Sequence, residues 1–154
     1  MKGITKLNLW ENITLVSLQG LPDRLPVMAD IFAAFSGAGI IIDMISQTAP
    51  VGGKVDLSFT CYDDDMVKVL ALSKELGERY QGIRPLVSSG NSKIQLYGPE
   101  MPQLYGVFSD VLDCLREVPL HVHLITTSEV DISLLVDTPH GAEAMEALHA
   151  RFLT

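Results

Sequence analysis

The chain repeats itself. The stretch that starts at Pro26, PVMADIFAAFSGAGIIIDMISQT, aligns without a gap with GVFSDVLDCLREVPLHVHLITTS from Gly106 as far as Ser128, and VDLSF at residues 55–59 returns as VDISL at residues 130–134. A chain of 154 residues with such a repeat has room for two very small units on one plan, or for one ordinary domain assembled from both halves.

The periodicities specify the plan. Val27, Ile31 and Phe35 match Val107, Val111 and Leu115, apolar positions spaced i, i+4 and i+8 that line one face of a helix in each copy. IIIDMISQT and LHVHLITTS follow as strands. VDLSFTC and VDISLLV then alternate, with Val55, Leu57 and Phe59 on one face and Asp56, Ser58 and Thr60 on the other. A second helix follows in each copy, through Met66, Val69, Leu72 and Leu76 and through Ala142, Met145, Leu148 and Phe152, with Asp63 and Thr138 as caps. Ahead of the first helices lie ITLVSLQG and KIQLYG, short strands that end in glycine.

The order is strand, helix, strand, strand, helix, twice over: the ferredoxin-like βαββαβ plan without its last strand. The first copy finds that strand in IRPLVSS, residues 83–89, whereas the second reaches Thr154 just after its second helix and leaves KGITKLNL as the unassigned segment. The sequence therefore predicts an α+β fold of two ferredoxin-like units in tandem. The first takes residues 10–89, and the second takes residues 1–9 plus 90–154, with the N-terminal strand returning to complete its sheet.

Composition removes several classes of function. Hydrophobic residues at 47% and charged residues at 19% describe a globular chain. Cys61 and Cys114 lack metal-ligand spacing and suit a reduced, cytoplasmic interior as small hydrophobes. No run reaches the roughly 18 apolar residues of a membrane span, and the start, MKGITKLNLWENITLV, lacks a signal-peptide pattern. A net charge of −8 and the absence of a basic run argue against nucleic acid. RNA-binding sheets of this topology stack bases on exposed aromatics within a basic face, and this chain offers neither. There is no nucleophile elbow, zinc-protease helix or phosphate-binding glycine loop, so the sequence gives no case for catalysis or for a cofactor. GAG at 37–39 reads as a helix stop, and the acids at 63–65 head a helix where negative charge suits the dipole. Those acids do not have the spread of oxygen ligands that a Ca²⁺ loop needs.

ITLVSLQGLPDRLPVMADIFAAFSGAGIIIDMISQ resembles the first ACT repeat of the regulatory region of aspartokinase, and LITTSEVDISLLVDTPHGAEAMEALHARF resembles the second. TSEVDISLLV followed by ALHARF is the most specific part, and the likeness includes the N-terminal GIT strand that completes the second repeat in that family. Nothing in the chain resembles the amino-kinase domain that precedes this region in aspartokinases. The resemblance thus implies a non-catalytic chain, either a free-standing tandem ACT protein or a separately made regulatory subunit. It also implies a homodimer that holds a small amino acid between repeats of different subunits, with an amino-acid biosynthetic enzyme as partner. The competing expectation is an ACT dimer that serves structure or protein interaction and has lost its ligand.

The same resemblance points to residues. The loop LPDRLPV, residues 21–27, joins the first strand to the first helix, and a helix N-terminus there suits an effector carboxylate. Asp23 matches the family's acidic residue, which holds the ammonium group, and the N–H groups of Val27 and Met28 would take the carboxylate. Pro26 stands where the family has glycine and removes one donor. Gln47 matches an effector-contacting glutamine. Ile41 and His121 replace the family's asparagines, and His121, Val122 and Ser128 would come from the partner subunit. His121 and His123, two apart on a predicted strand, share a face, yet two ligands are too few to hold a metal. In a pocket they would make binding sensitive to pH between roughly 5 and 8.

Overall fold

A computed structural model describes residues 3–154; Met1 and Lys2, which the sequence assigns to the start of the N-terminal strand's unit, lie outside the described residues. The order of elements is β1 (Lys6–Pro22), α1 (Leu25–Gly37), β2 (Ile45–Gln47), β3 (Lys54–Tyr62), α2 (Met66–Arg79), β4 (Arg84–Tyr97), α3 (Val107–Leu115), β5 (Val122–Thr127), β6 (Asp131–Asp137) and α4 (Gly141–Phe152). The chain divides into two compact units, Asn12–Ser89 and a second that joins the residues up to Glu11 to Gly90–Thr154.

In the first unit the strand order is β2-β3-β1-β4, and in the second it is β1-β4-β6-β5. Each is the ferredoxin-like order, and β1, the N-terminal strand, supplies the fourth strand of the second unit. The segments ITLVSLQG and KIQLYG are not separate short strands as their patterns suggest. β1 runs for 17 residues and β4 for 14, so each serves both units. Each makes the passage at a left-handed residue, Asn12 at φ 59° and Gly90 at φ 71°. That conformation is rare outside glycine and costs Asn less than most residues.

Each unit has its own core on the helical side of its sheet. In the first, Val27, Ile31 and Phe35 of α1 meet Val16, Leu18, Leu57 and Phe59, with the Phe35 and Phe59 rings edge to face at 5.0 Å. In the second, Val111, Leu148 and Phe152 meet Ile94, Leu96, Ile132 and Leu134. Ile4 enters the same core at 3% exposure, and Leu7 and Leu9 pack against it. The Thr5 N–H donates to the Tyr97 carbonyl at 2.8 Å. Gly98 is fixed by this return of the chain: a Cβ there would fall on the Gly3 carbonyl oxygen.

The repeated VDLSF and VDISL strands share a clasp at their start. The Asp56 N–H donates to the Thr48 hydroxyl at 2.9 Å and the Asp56 carbonyl accepts the Thr48 N–H at 3.0 Å. Asp131 stands in the same relation to Ser128, at 3.2 and 3.0 Å. Thr48 and Ser128 are counterparts in the repeat. The loops between clasp partners differ in length, and the longer one forms a small turn in which Val51 pairs with Lys54 around Gly52 and Gly53, both at positive φ. Backbone of that kind favours glycine at both central positions.

Two strands are shorter than their patterns imply. IIIDMISQ does not run extended throughout, because β2 begins only at Ile45. The Thr60 carbonyl accepts from Asp43, the Thr60 N–H donates to Met44, and the Thr60 hydroxyl accepts the Met44 N–H at 2.9 Å. Two residues thus oppose one, a bulge that ends regular pairing and leaves Ile41 off the strand. In the second unit β5 begins at Val122, so His121 precedes it, and the register slips between Val122 and Leu124. That slip breaks the alternation on which a shared face for His121 and His123 depends.

Candidate functional site

The loop after β1 places four of the sequence-predicted site residues together. Its conformation is held by backbone bonds from the Asp23 N–H to the Gly53 carbonyl at 2.9 Å and from the Arg24 N–H to the Pro22 carbonyl at 2.8 Å. Asp23 and Pro26 are exposed, Val27 is buried at 6%, and Met28 is half-buried against the core. The N–H groups of Val27 and Met28 do not face outward as a carboxylate site would need. Both donate to the Arg24 carbonyl, at 3.1 and 3.4 Å. Pro26 explains this, because a proline in the first turn starts the helix early and draws the following donors inside it.

The other predicted residues are scattered. Gln47 is exposed on β2, and Ile41 is 68% exposed on the segment before it. His121 and Val122 lie at the start of β5, while Ser128 lies just beyond its end. A strand of that length separates them by roughly 20 Å, too far for one small molecule to touch both. The Ser128 hydroxyl is also committed: it donates to the Asp131 carboxylate at 2.7 Å and accepts the Val130 and Asp131 N–H groups at 3.2 Å each.

A cleft does form, in the second unit, at the counterpart of the Asp23 loop. It has a volume of about 380 Å³ and is lined by Met101, Leu104, Gly106, Val107, Phe108, Thr127, Ser128, Glu129 and Ile132. Gly106 replaces Pro26 in the repeat and sits at φ 77° just before α3, delaying the helix where Pro26 advances α1. The first helical bond of α3 runs from the Asp110 N–H to the Gly106 carbonyl at 2.9 Å. The N–H groups of Val107, Phe108 and Ser109 stand ahead of it with no side-chain cap. Of the sequence-predicted residues only Ser128 borders this cleft. The rest of it was accessible from the repeat, since Gly106 to Phe108 and Thr127 to Ser128 are the counterparts of Pro26 to Met28 and Gln47 to Thr48.

Charge around these elements is local. The Asp137 carboxyl is held below its ordinary range, first because its oxygen accepts the His121 backbone N–H at 2.7 Å. Arg151 of α4 bonds both Asp110 and Asp113 of α3, tying the two helices together on the outer face. Burial, aided by Asp65 and Asp63, pushes the Cys61 thiol up to about 11, and burial also raises Cys114. Neither cysteine has the depressed pKa of a reactive thiol. Among the described residues no three His, Cys, Asp or Glu side chains come together as a metal site, and no helix is long and apolar enough to cross a membrane.

Residues 94–152 match the ACT domain family. Aspartokinase from Corynebacterium efficiens is 32% identical over 139 residues, covering 89% of this chain and 33% of the relative. Aspartokinase from Mycolicibacterium smegmatis is 33% identical over 143 residues, again covering 89% and 33%. The chain therefore spans about a third of the length of the curated relatives it matches. Among solved structures, the ligand-free regulatory subunit of aspartate kinase from Thermus thermophilus superposes with a TM-score of 0.87 at 24% identity, covering 98% of this chain and 99% of that one. A structure of aspartokinase alpha and beta subunits gives 0.83 at 27% identity, with the same coverage. The chain resembles the regulatory region of aspartokinase, and its fold is two ferredoxin-like ACT units in tandem.

Proposed function

We propose that this chain is a non-catalytic, cytoplasmic regulatory module that binds a small effector, an amino acid, where two copies associate, in the manner of aspartokinase feedback control. The observation that carries this reading is its end-to-end likeness to chains of an aspartokinase with separate alpha and beta subunits, of which it covers 99%. A more distant solved relative, aspartokinase III of E. coli, is in complex with lysine and aspartate, which supports an amino acid as the class of ligand. Binding regulates a catalytic partner only if that partner distinguishes the liganded from the free state.

In this scheme Asp23, exposed on the loop ahead of α1, holds the effector's ammonium group, with Gln47 contributing from β2 and His121 and Val122 supplied by a second copy. A thermal-shift screen against the twenty amino acids, followed by calorimetry, tests it, since a ligand of the native state raises stability by mass action. Asp23→Ala should weaken binding by about tenfold, the usual scale of a lost charge-assisted hydrogen bond. Unchanged affinity removes Asp23 from the scheme.

A second reading, a structural ACT dimer without a ligand, is favoured by the inward-facing donors of Val27 and Met28. A flat screen together with a stable dimer in solution supports that alternative.

A further inference from the structure

We infer that the outer groove between α3 and α4 docks a segment of a partner protein, an amphipathic helix that carries its basic residues at one end. The inference stands apart from effector binding, because it uses neither the Asp23 loop nor the cleft ahead of α3.

Two concavities, of about 460 and 530 Å³, adjoin along these helices and share Cys114, Ala147 and Ala150. From Glu143 at one end to Arg151 at the other, the groove follows α4 for about two turns, roughly 12 Å. A trough of that form suits a chain segment better than a compact small molecule. Its floor is small and apolar, with Cys114, Val118 and Ala147 half-buried. The Cys114 thiol donates to the Ala147 carbonyl at 3.3 Å, which holds the two helices together there. Small side chains let a third helix approach closely, and a groove between two helices is where an amphipathic helix lays its apolar face.

Charge decides which helix fits. At one end Arg151 is taken up by Asp110 and Asp113, and Arg116 also bonds Asp113, so the charges cancel. At the other stand Glu117, Glu143 and Glu146, all exposed. Among the described residues their only ion-pair partner is His140, 3.7 Å from Glu143. The fold itself does not ask for these acids. In the repeat Glu117 answers to Gly37, while Glu143 and Glu146, third and sixth in α4, answer to Lys68 and Ala71, third and sixth in α2. A second copy of this chain is a poor occupant, since it carries a net charge of −8 and no basic run to set against the rim. Lysine or arginine at one end of an apolar helix face supplies what is missing, steering the approach and fixing the direction in which the helix lies.

The test uses the full chain and a synthetic helix of about four turns, with leucine along one face and lysines grouped at one end. Titration followed by amide NMR should shift the signals of Cys114, Val118, Ala147 and Ala150. A peptide with glutamate in place of lysine should bind about tenfold or more weakly. Glu117→Lys with Glu146→Lys should weaken the lysine peptide by about tenfold or more, and added salt should narrow that difference. Glu75→Lys with Glu78→Lys makes the same change in net charge on α2 of the first unit and should leave affinity within about twofold. Ala150→Trp, checked for an unchanged thermal midpoint, should fill the groove and reduce binding. Shifts spread over both units, an equal response to the two charge-reversed pairs, indifference to Ala150→Trp, or no binding at millimolar peptide would overturn the inference. So would spermidine that binds the same residues as tightly, since the groove would then be a site for small cations. Asp23→Ala should leave the peptide's affinity unchanged, so that this inference and the effector scheme fail separately.

Discussion

Ser128 and Asp131 hold each other from both sides: the serine hydroxyl donates to the aspartate carboxylate at 2.7 Å and accepts the aspartate's backbone N–H at 3.2 Å. A hydroxyl used in this way builds a turn. Ser128→Ala should therefore cost about 1 kcal/mol of stability in urea denaturation, the scale of a net hydrogen bond. If stability is unchanged while affinity for a ligand falls, Ser128 is a ligand contact after all.

Asp137 should give the second unit an acid-sensitive increment of stability. Its carboxyl lies below the ordinary value of 3.8, chiefly because it accepts the His121 N–H. A depressed native pKa stabilises the fold above the unfolded value and loses that contribution as pH falls through the native one. Asp137→Asn should be less stable than the parent near neutrality, and the two should converge in the acid range below about pH 4. Solvent screening at this site keeps the difference small. Thermal midpoints followed across that range check it, and a gap that persists in acid would assign the effect to shape rather than charge.

Ser73 lies on α2 at 4% exposure, and its hydroxyl is buried without a hydrogen-bond partner. Removing an unsatisfied group and gaining helix propensity act in the same direction. Ser73→Ala should raise stability by about 0.5–1 kcal/mol. A loss instead would show that the hydroxyl is satisfied in solution.

The return of the N-terminal segment to the second unit is open to direct test. Ile4→Ala should cost about 2–4 kcal/mol, as for other core truncations. Gly98→Ala should do at least comparable damage, since its new carbon would collide with the Gly3 carbonyl. Hydrogen exchange of β5 and β6 should accelerate in both variants, whereas two neutral outcomes would mean that the segment does not complete the sheet in solution.

The large features of this fold are legible because they are written as periodicity. Val27, Ile31 and Phe35 sit in one core, and their counterparts Val107, Val111 and Leu115 pack in or against the other. The segment left over by counting strands, around Ile4 and Leu7, completes the second sheet. What escaped the pattern depends on single bonds. The Thr60 hydroxyl, which captures the Met44 N–H, ends β2 early, and no alternation of apolar residues records that. The slip beside His123 is equally silent. The cleft was hidden for a different reason. Matching Asp23 to a family loop directs attention to the repeat whose proline turns its donors inward, whereas in the other repeat the helix begins only after Gly106.

The clasps at Asp56 and Asp131 have a practical consequence. Both fix where the next strand begins, although the chain between the partners is longer in one than in the other. At the tip of the longer one nothing lies within 4 Å of a Cβ added at Gly52 or Gly53, while the Gly53 carbonyl accepts the Asp23 N–H at 2.9 Å and so ties the tip to the loop ahead of α1. A peptide spliced between those two glycines should therefore spare the clasps and the sheet while loosening the Asp23 loop, which makes the tip a handle on that loop from a distance.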